Sequence, residues 1–110
     1  MSELKQGDII EIGLNPYAGP EPARTRRAVV FTGYPFNSQS LVVGVVPVQT
    51  VDAKHPCHVP IADAGLNGFA CIEKMQTMDV EFKGYRKIGV ADSETMHKIM
   101  GIIRGMLDLQ

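Results

Sequence analysis

The sequence predicts a mainly β domain, a partly closed barrel of short strands capped by one C-terminal helix. Three observations predict it. Short runs rich in Val and Ile recur between clusters of Gly, Pro, Asn and Asp. From residue 96 onward the apolar residues switch to helical spacing. The length, 110 residues, makes one domain over 1–110 and leaves no room for a second.

Ile9, Ile10 and Ile12 follow Gly7-Asp8 and precede Asn15-Pro16, which marks a first short strand bounded by turn residues. Residues 15–25 hold Pro16, Pro20, Pro22 and Gly19, so this stretch reads as a loop. Residues 28–31, Ala-Val-Val-Phe, read as a buried strand. A turn region over 33–40 leads into residues 41–46, the most apolar strand, and Pro47 is expected to end its central pairing. Residues 58–61 and 68–72 read as shorter strands around a turn at 64–67, and residues 75–80 and 86–90 as two more. Met96, Ile99, Met100, Ile103, Met106 and Leu107 then form a helical stripe, with Asp92 or Ser93 as N-cap and the methionines as core filler. Gly101 and Gly105 either weaken that helix, by about 1 kcal/mol each, or permit close packing.

Hydrophobic residues make up 45% of the chain and charged residues 21%, a balance that excludes disorder. The net charge of −1 gives no overall pull on nucleic acid, so any RNA-binding charge must be local. Arg24, Arg26 and Arg27 form one such cluster; Lys83, Arg86 and Lys87 form another, read as a solvated surface loop. Cys57 and Cys71 are too few and wrongly spaced for a disulfide framework. Residues 1–5 lack the apolar core of a signal peptide, and no run approaches a membrane span. A reducing cytoplasm is the expected location.

No metal site or cofactor is expected. His55 and His58 flank Pro56 and Cys57 in non-helical sequence, His97 lies far away, and no second cluster completes a ligand set. No phosphate-binding glycine loop is present. Cys71 lies in an apolar strand and reads as an inert thiol, while Cys57 and His58 are strand neighbours that point to opposite faces.

What remains is the loop with Gly19, Glu21, Arg24, Arg26 and Arg27, feeding Ala28-Val29-Val30. Gly7-Asp8-Ile9, then Asn15-Pro16, Gly19-x-Glu21, Arg26-x-Ala28-Val29-Val30 and Phe36-Asn37, resembles the opening half of the MazF/PemK/Kid toxins. Val46-Pro47-Val48-Gln49-Thr50 is similar to that family's V-P-x-T-[ST] turn, and residues 68–79 to its G-V-x-x-x-D-Q-x-R-T-I-D strand, with Thr77 and Asp79 in register. The resemblance covers nearly the whole chain and includes the C-terminal helix.

The resemblance implies an SH3-like barrel that forms a two-fold homodimer, cuts single-stranded RNA without a metal, and is neutralised by a cognate antitoxin protein. Attack by the RNA's own 2′-hydroxyl needs a base, a cation for the charged phosphorane and an acid for the leaving oxygen. Arg26 matches the family's catalytic arginine; a permanently charged guanidinium forks onto two phosphate oxygens. Thr50 matches the second hydroxyl of the threonine pair. Glu21 matches a loop glutamate that either orients the arginine or stands as a plain surface acid. Gln49 replaces the first threonine and offers an amide donor. Arg27 replaces a proline, and Pro20 a histidine or serine. Cys71 and Glu73 fall where Kid-like members carry arginine and aspartate, so Glu73 alone keeps its charge. Base contacts are expected from Asn15, Lys54, Glu73, Lys74 and Gln76, though the last of these and both lysines also fit plain surface. The alternatives are a non-catalytic relative, or a gyrase-binding toxin like CcdB; against the second, the chain has no tryptophan.

Overall fold

The computed structural model describes residues 1–15, 25–50 and 54–108. Its strands are β1 (Asp8–Ile12), β2 (Arg26–Val30), β3 (Val43–Gln49), β4 (His58–Ile61), β5 (Gly68–Cys71), β6 (Gln76–Met78) and β7 (Tyr85–Val90). They pair antiparallel in one sheet of order β4-β5-β3-β2-β1-β7, with β6 also on β3. Two short helices, α1 (Tyr34–Asn37) and α2 (Val80–Lys83), interrupt the strands, and α3 (Ser93–Met106) ends the fold.

The expected architecture, mainly β with a C-terminal helix, is the one observed. Among the described residues the sheet edges β4 and β7 do not hydrogen-bond, so the barrel stays partly open. The edges are nevertheless drawn together. The 3₁₀ turn Asp63–Gly65 after β4 packs on β7 so closely that a Cβ at Gly89 would lie 2.5 Å from the Cβ of Ala64. The Asp92 N–H also reaches the Asp63 carboxylate at 3.4 Å.

Adjacent residues of the central strands face opposite ways, and both ways are buried. Ile9, Val29, Val46, Val59, Ala70 and Ile72 pack with Ile99 and Ile103 of α3. Ile10, Ile12, Ala28, Val30, Val43 and Val45 pack with Leu4 and with Val80 of α2 on the other side. This explains the unbroken apolar runs such as Ala28-Val29-Val30: a strand covered on both faces shows no alternation.

Pro47 does not end β3, which runs on to Gln49. Gly44 exchanges hydrogen bonds with the β2 side, through Phe31 N–H and Thr32 Oγ1, so odd-numbered residues of β3 turn their backbone to the opposite flank. On that flank β6 pairs with residues 43–45 and β5 with 48–49. Pro47 falls in the gap between the two ladders, where no partner asks for its missing N–H.

The strand expected over 75–80 is shorter. β6 stops at Met78, and Asp79 caps α2 by accepting from Phe82 N–H at 3.0 Å, which buries Val80 from a helical turn. Asp92, not Ser93, caps α3, accepting from Thr95 N–H at 2.7 Å. Met96 and Met100 pack against the core, while a Cβ at Gly101 or Gly105 would meet nothing within 4 Å. These two glycines therefore weaken the helix rather than bring it close to anything in this chain. Among the described residues, no helix is long and apolar enough to cross a membrane.

Candidate functional site

The register of the sheet collects the rim residues. Arg27 pairs with Val48, so one step further along both strands Arg26 stands opposite Gln49. Arg26 also pairs with Ile12 on its other side; Gln49 pairs with Phe69, and Phe69 with Pro60. Opposed residues in antiparallel strands project to one face. Arg26 and Gln49 therefore share the face of Ala28 and Val30, opposite to the one α3 covers. Both are exposed, as is Thr50 next along the chain.

Alternation sends the next arginine the other way. Arg27 approaches Glu11 at 3.9 Å, and Glu11 also holds Arg86 at 2.6 Å. Among the described residues Arg26 has no carboxylate partner, so its charge is available to an anion. The second cationic cluster is solvent-exposed, as expected, but it is not a loop. Arg86 and Lys87 lie on β7, paired with Glu11 and with Asp8, the latter at 3.2 Å; Lys83 closes α2.

A second group lies on the same face, one row inward. His58 sits two residues before Pro60 on β4, roughly two strand spacings, about 10 Å, from β3. Its Nε2 is 2.8 Å from Glu73 Oε2. Glu73 and Lys74 belong to the 3₁₀ turn Ile72–Lys74 that follows β5, and the Met75 N–H closes that turn on Ile72. Burial pushes the Glu73 carboxyl up. The hydrogen bond to His58, a backbone N–H of the turn and the charges of His58 and His55 outweigh it, holding the carboxyl below its ordinary value. His55, exposed, accepts from Cys57 N–H through Nδ1 at 3.0 Å and stacks on His58.

The other expected contacts divide. Lys54 and Lys74 are exposed near this second group, Lys54 with a positive φ of 58°. Gln76 is exposed but opposes Val45 in β6, away from the rim. Asn15 donates from its side chain to the Phe82 carbonyl at 2.8 Å, fastening the end of β1 to α2. Glu21, Pro20 and Arg24 lie outside the described residues. Cys71 is fully buried, with its Sγ 3.5 Å from the Phe69 carbonyl, which fits an inert thiol.

Sequence reasoning passed over His55 and His58 because no third ligand or partner stood near them. The fold supplies Glu73, and the signal that could have found it is the β4–β5 pairing, which sets His58 against Cys71.

A family model described as the PemK-like, MazF-like toxin of type II toxin–antitoxin systems matches residues 5–107. The chain is 25% identical over 101 residues to the endoribonuclease toxin MazF of Escherichia coli (strain K12), covering 92% of this chain and 91% of that one. Its fold is that of MazF from Deinococcus radiodurans, solved in a MazE-MazF crystal structure, with a TM-score of 0.84 at 15% identity and full coverage of both chains. It also matches a mycobacterial endoribonuclease solved with its cognate antitoxin, with a TM-score of 0.77 at 20% identity, over 100% of this chain and 98% of that one. The family model's match over residues 5–107 settles the family: the chain belongs to the PemK-like, MazF-like toxins of type II toxin–antitoxin systems.

Proposed function

We propose that this toxin is an endoribonuclease that cleaves single-stranded RNA at specific sequences, without a metal in the reaction. The observation that carries this reading is the placement of Arg26, without a carboxylate partner among the described residues, across from Gln49 and beside Thr50 on an exposed face. That arrangement suits a phosphodiester. The 2′-oxygen bonds to phosphorus and gives its proton to a base; the phosphorane's added charge falls on Arg26; the P–O5′ bond breaks and the 5′-oxygen takes up a proton. The products are a 2′,3′-cyclic phosphate and a 5′-hydroxyl. DNA lacks the nucleophile and is not cut.

Gln49 donates from its amide to a non-bridging oxygen, and the Thr50 hydroxyl donates to the same phosphate. Glu21 orients Arg26. Asn15, Lys54, Glu73 and Lys74 choose the bases, while Gln76, opposite Val45 in β6, stands as plain surface. A near-neutral chain suits a short recognition site, since few phosphates need neutralising. The enzyme works in the cytoplasm as a two-fold homodimer and is silenced by a cognate antitoxin, a reading supported by the antitoxin complexes of its structural relatives.

The test is incubation of purified protein with a long single-stranded RNA in EDTA. Discrete fragments ending in cyclic phosphate are expected. Intact RNA under these conditions, with a folded protein, overturns the enzymatic reading and leaves a non-catalytic relative.

A further inference from the structure

His55, His58 and Glu73 come from two separate segments, the approach to β4 and the turn after β5, yet their donor atoms all lie within 4.8 Å of one another. The His58–Glu73 contact is 2.8 Å, and the two imidazole rings stack with centroids 5.4 Å apart. The remaining carboxylate oxygen, Glu73 Oε1, is buried and has no hydrogen-bond partner. A buried carboxylate oxygen left in that state costs free energy, and in native proteins it usually has a water or an ion beside it.

We propose that His55, His58 and Glu73 bind a divalent transition-metal ion, with zinc the best match. Two imidazole nitrogens and one carboxylate oxygen make a borderline donor set, suited to zinc and poorly suited to magnesium or calcium, which take oxygen ligands. Three protein ligands leave a fourth tetrahedral position to water. Bond lengths of about 2.0–2.2 Å put neighbouring donors of a tetrahedral zinc site roughly 3.4 Å apart. The widest gap here must therefore close by about 1.4 Å, a swing that the exposed His55 side chain can make by rotation about its own χ angles. The ion takes the place of the proton shared by His58 and Glu73, which leaves to solvent.

The site needs no step of the proposed RNA reaction. It would clasp the segment leading into β4 to the turn after β5, adding to the His58–Glu73 contact and to the bond from the Ile72 N–H to the Cys57 carbonyl at 3.2 Å. RNA cleavage in EDTA and metal binding can therefore each fail alone.

The experiment is titration of untagged, chelator-treated protein with Co²⁺, which reports a tetrahedral site by its visible absorption, followed by displacement with Zn²⁺. One ion per chain and loss of the spectrum on adding Zn²⁺ are expected. Saturating Zn²⁺ should raise Tm by roughly 5 °C or more. His55→Ala, an exposed position, and Glu73→Gln should each weaken binding at least about 100-fold, beyond the loss seen for residues that merely support a ligand. His97→Ala should leave binding unchanged. Absence of tetrahedral bands overturns the proposal. So does wild-type affinity in folded His55→Ala, or a sulfur charge-transfer band showing that Cys57 is a ligand in place of Glu73.

Discussion

Gly68 lies against the backbone of Gln49: a Cβ built on Gly68 would stand 2.6 Å from the Gln49 carbonyl oxygen and 3.3 Å from its carbon. Only a residue without a side chain lets β5 start here, and the register that results sets Phe69 opposite Gln49. The last pairing of β3, and so the direction in which Gln49 and Thr50 point, depends on an atom that Gly68 lacks.

Gly68→Ala should therefore push the end of β3 away from β5. Overpacking of this kind costs about 1–3 kcal/mol of stability. A displacement approaching 1 Å at Gln49 and Thr50 should also lower RNA cleavage, by roughly 10- to 100-fold. Cleavage rate and urea unfolding measured on the same preparation check both. A destabilised variant with wild-type cleavage would show that the β3 end does not position the phosphate.

Arg26→Ala should lower cleavage by two or more orders of magnitude, roughly the effect of removing one transition-state donor. Its side chain is exposed and at the start of β2, so the melting curve should barely move. Gln49→Thr, made alongside, separates two roles for the amide. If Gln49 only holds phosphate, the hydroxyl substitute keeps or raises the rate at the same sites. If it reads a base, mapped cleavage sites should shift, since an edge contact is worth roughly 1–3 kcal/mol of discrimination by analogy with duplex readout.

The cap of α3 predicts a pH dependence. The Thr95 backbone N–H, and then its side chain, hold the Asp92 carboxyl below its ordinary value of 3.8. A carboxyl depressed in the folded state stabilises it in full above the unfolded value, and that contribution is lost as pH falls through the folded one. Asp92→Ala should thus lower Tm by a few degrees at pH 7. The gap to wild type should shrink once the pH drops below 3.8. A gap that persists unchanged in acid would mean that Asp92 acts through its shape and not its charge.

Two substitutions on α3 should move stability in opposite directions. Ile99 is fully buried against the sheet, so Ile99→Ala should cost about 2–5 kcal/mol. Gly101 is exposed with open space around it, so Gly101→Ala should gain up to about 1 kcal/mol. Denaturant midpoints of the two variants give both signs. A loss at Gly101 would mean that something outside this chain packs there.

Chain-local chemistry determined much of this protein without tertiary information. The apolar runs within 28–31 and 43–46, the exact span of β4, the helical stripe from Met96 to Ile103 and the choice of Asp92 or Ser93 as cap all depend on neighbours within a few residues. Leu41, Met106 and Leu107, expected in the same runs, are instead exposed. The family was readable for the same reason as the runs, because its motifs are contiguous. Three things were decided only by the folded structure. Pro47 lies inside β3 because β6 and β5 leave a gap on its flank, and ladder gaps belong to strand pairing. Val80 is buried from a helical turn, not a strand, because Asp79 supplies a cap and α2 covers the second core. Glu73 meets His58 because register brings the approach to β4 beside the turn after β5. The first and the third depend on segments that pair through backbone hydrogen bonds, and such pairing is set by the free energy of the whole sheet, so no window of sequence contains it. In the second the cap is local, but the core that Val80 enters is assembled from distant strands.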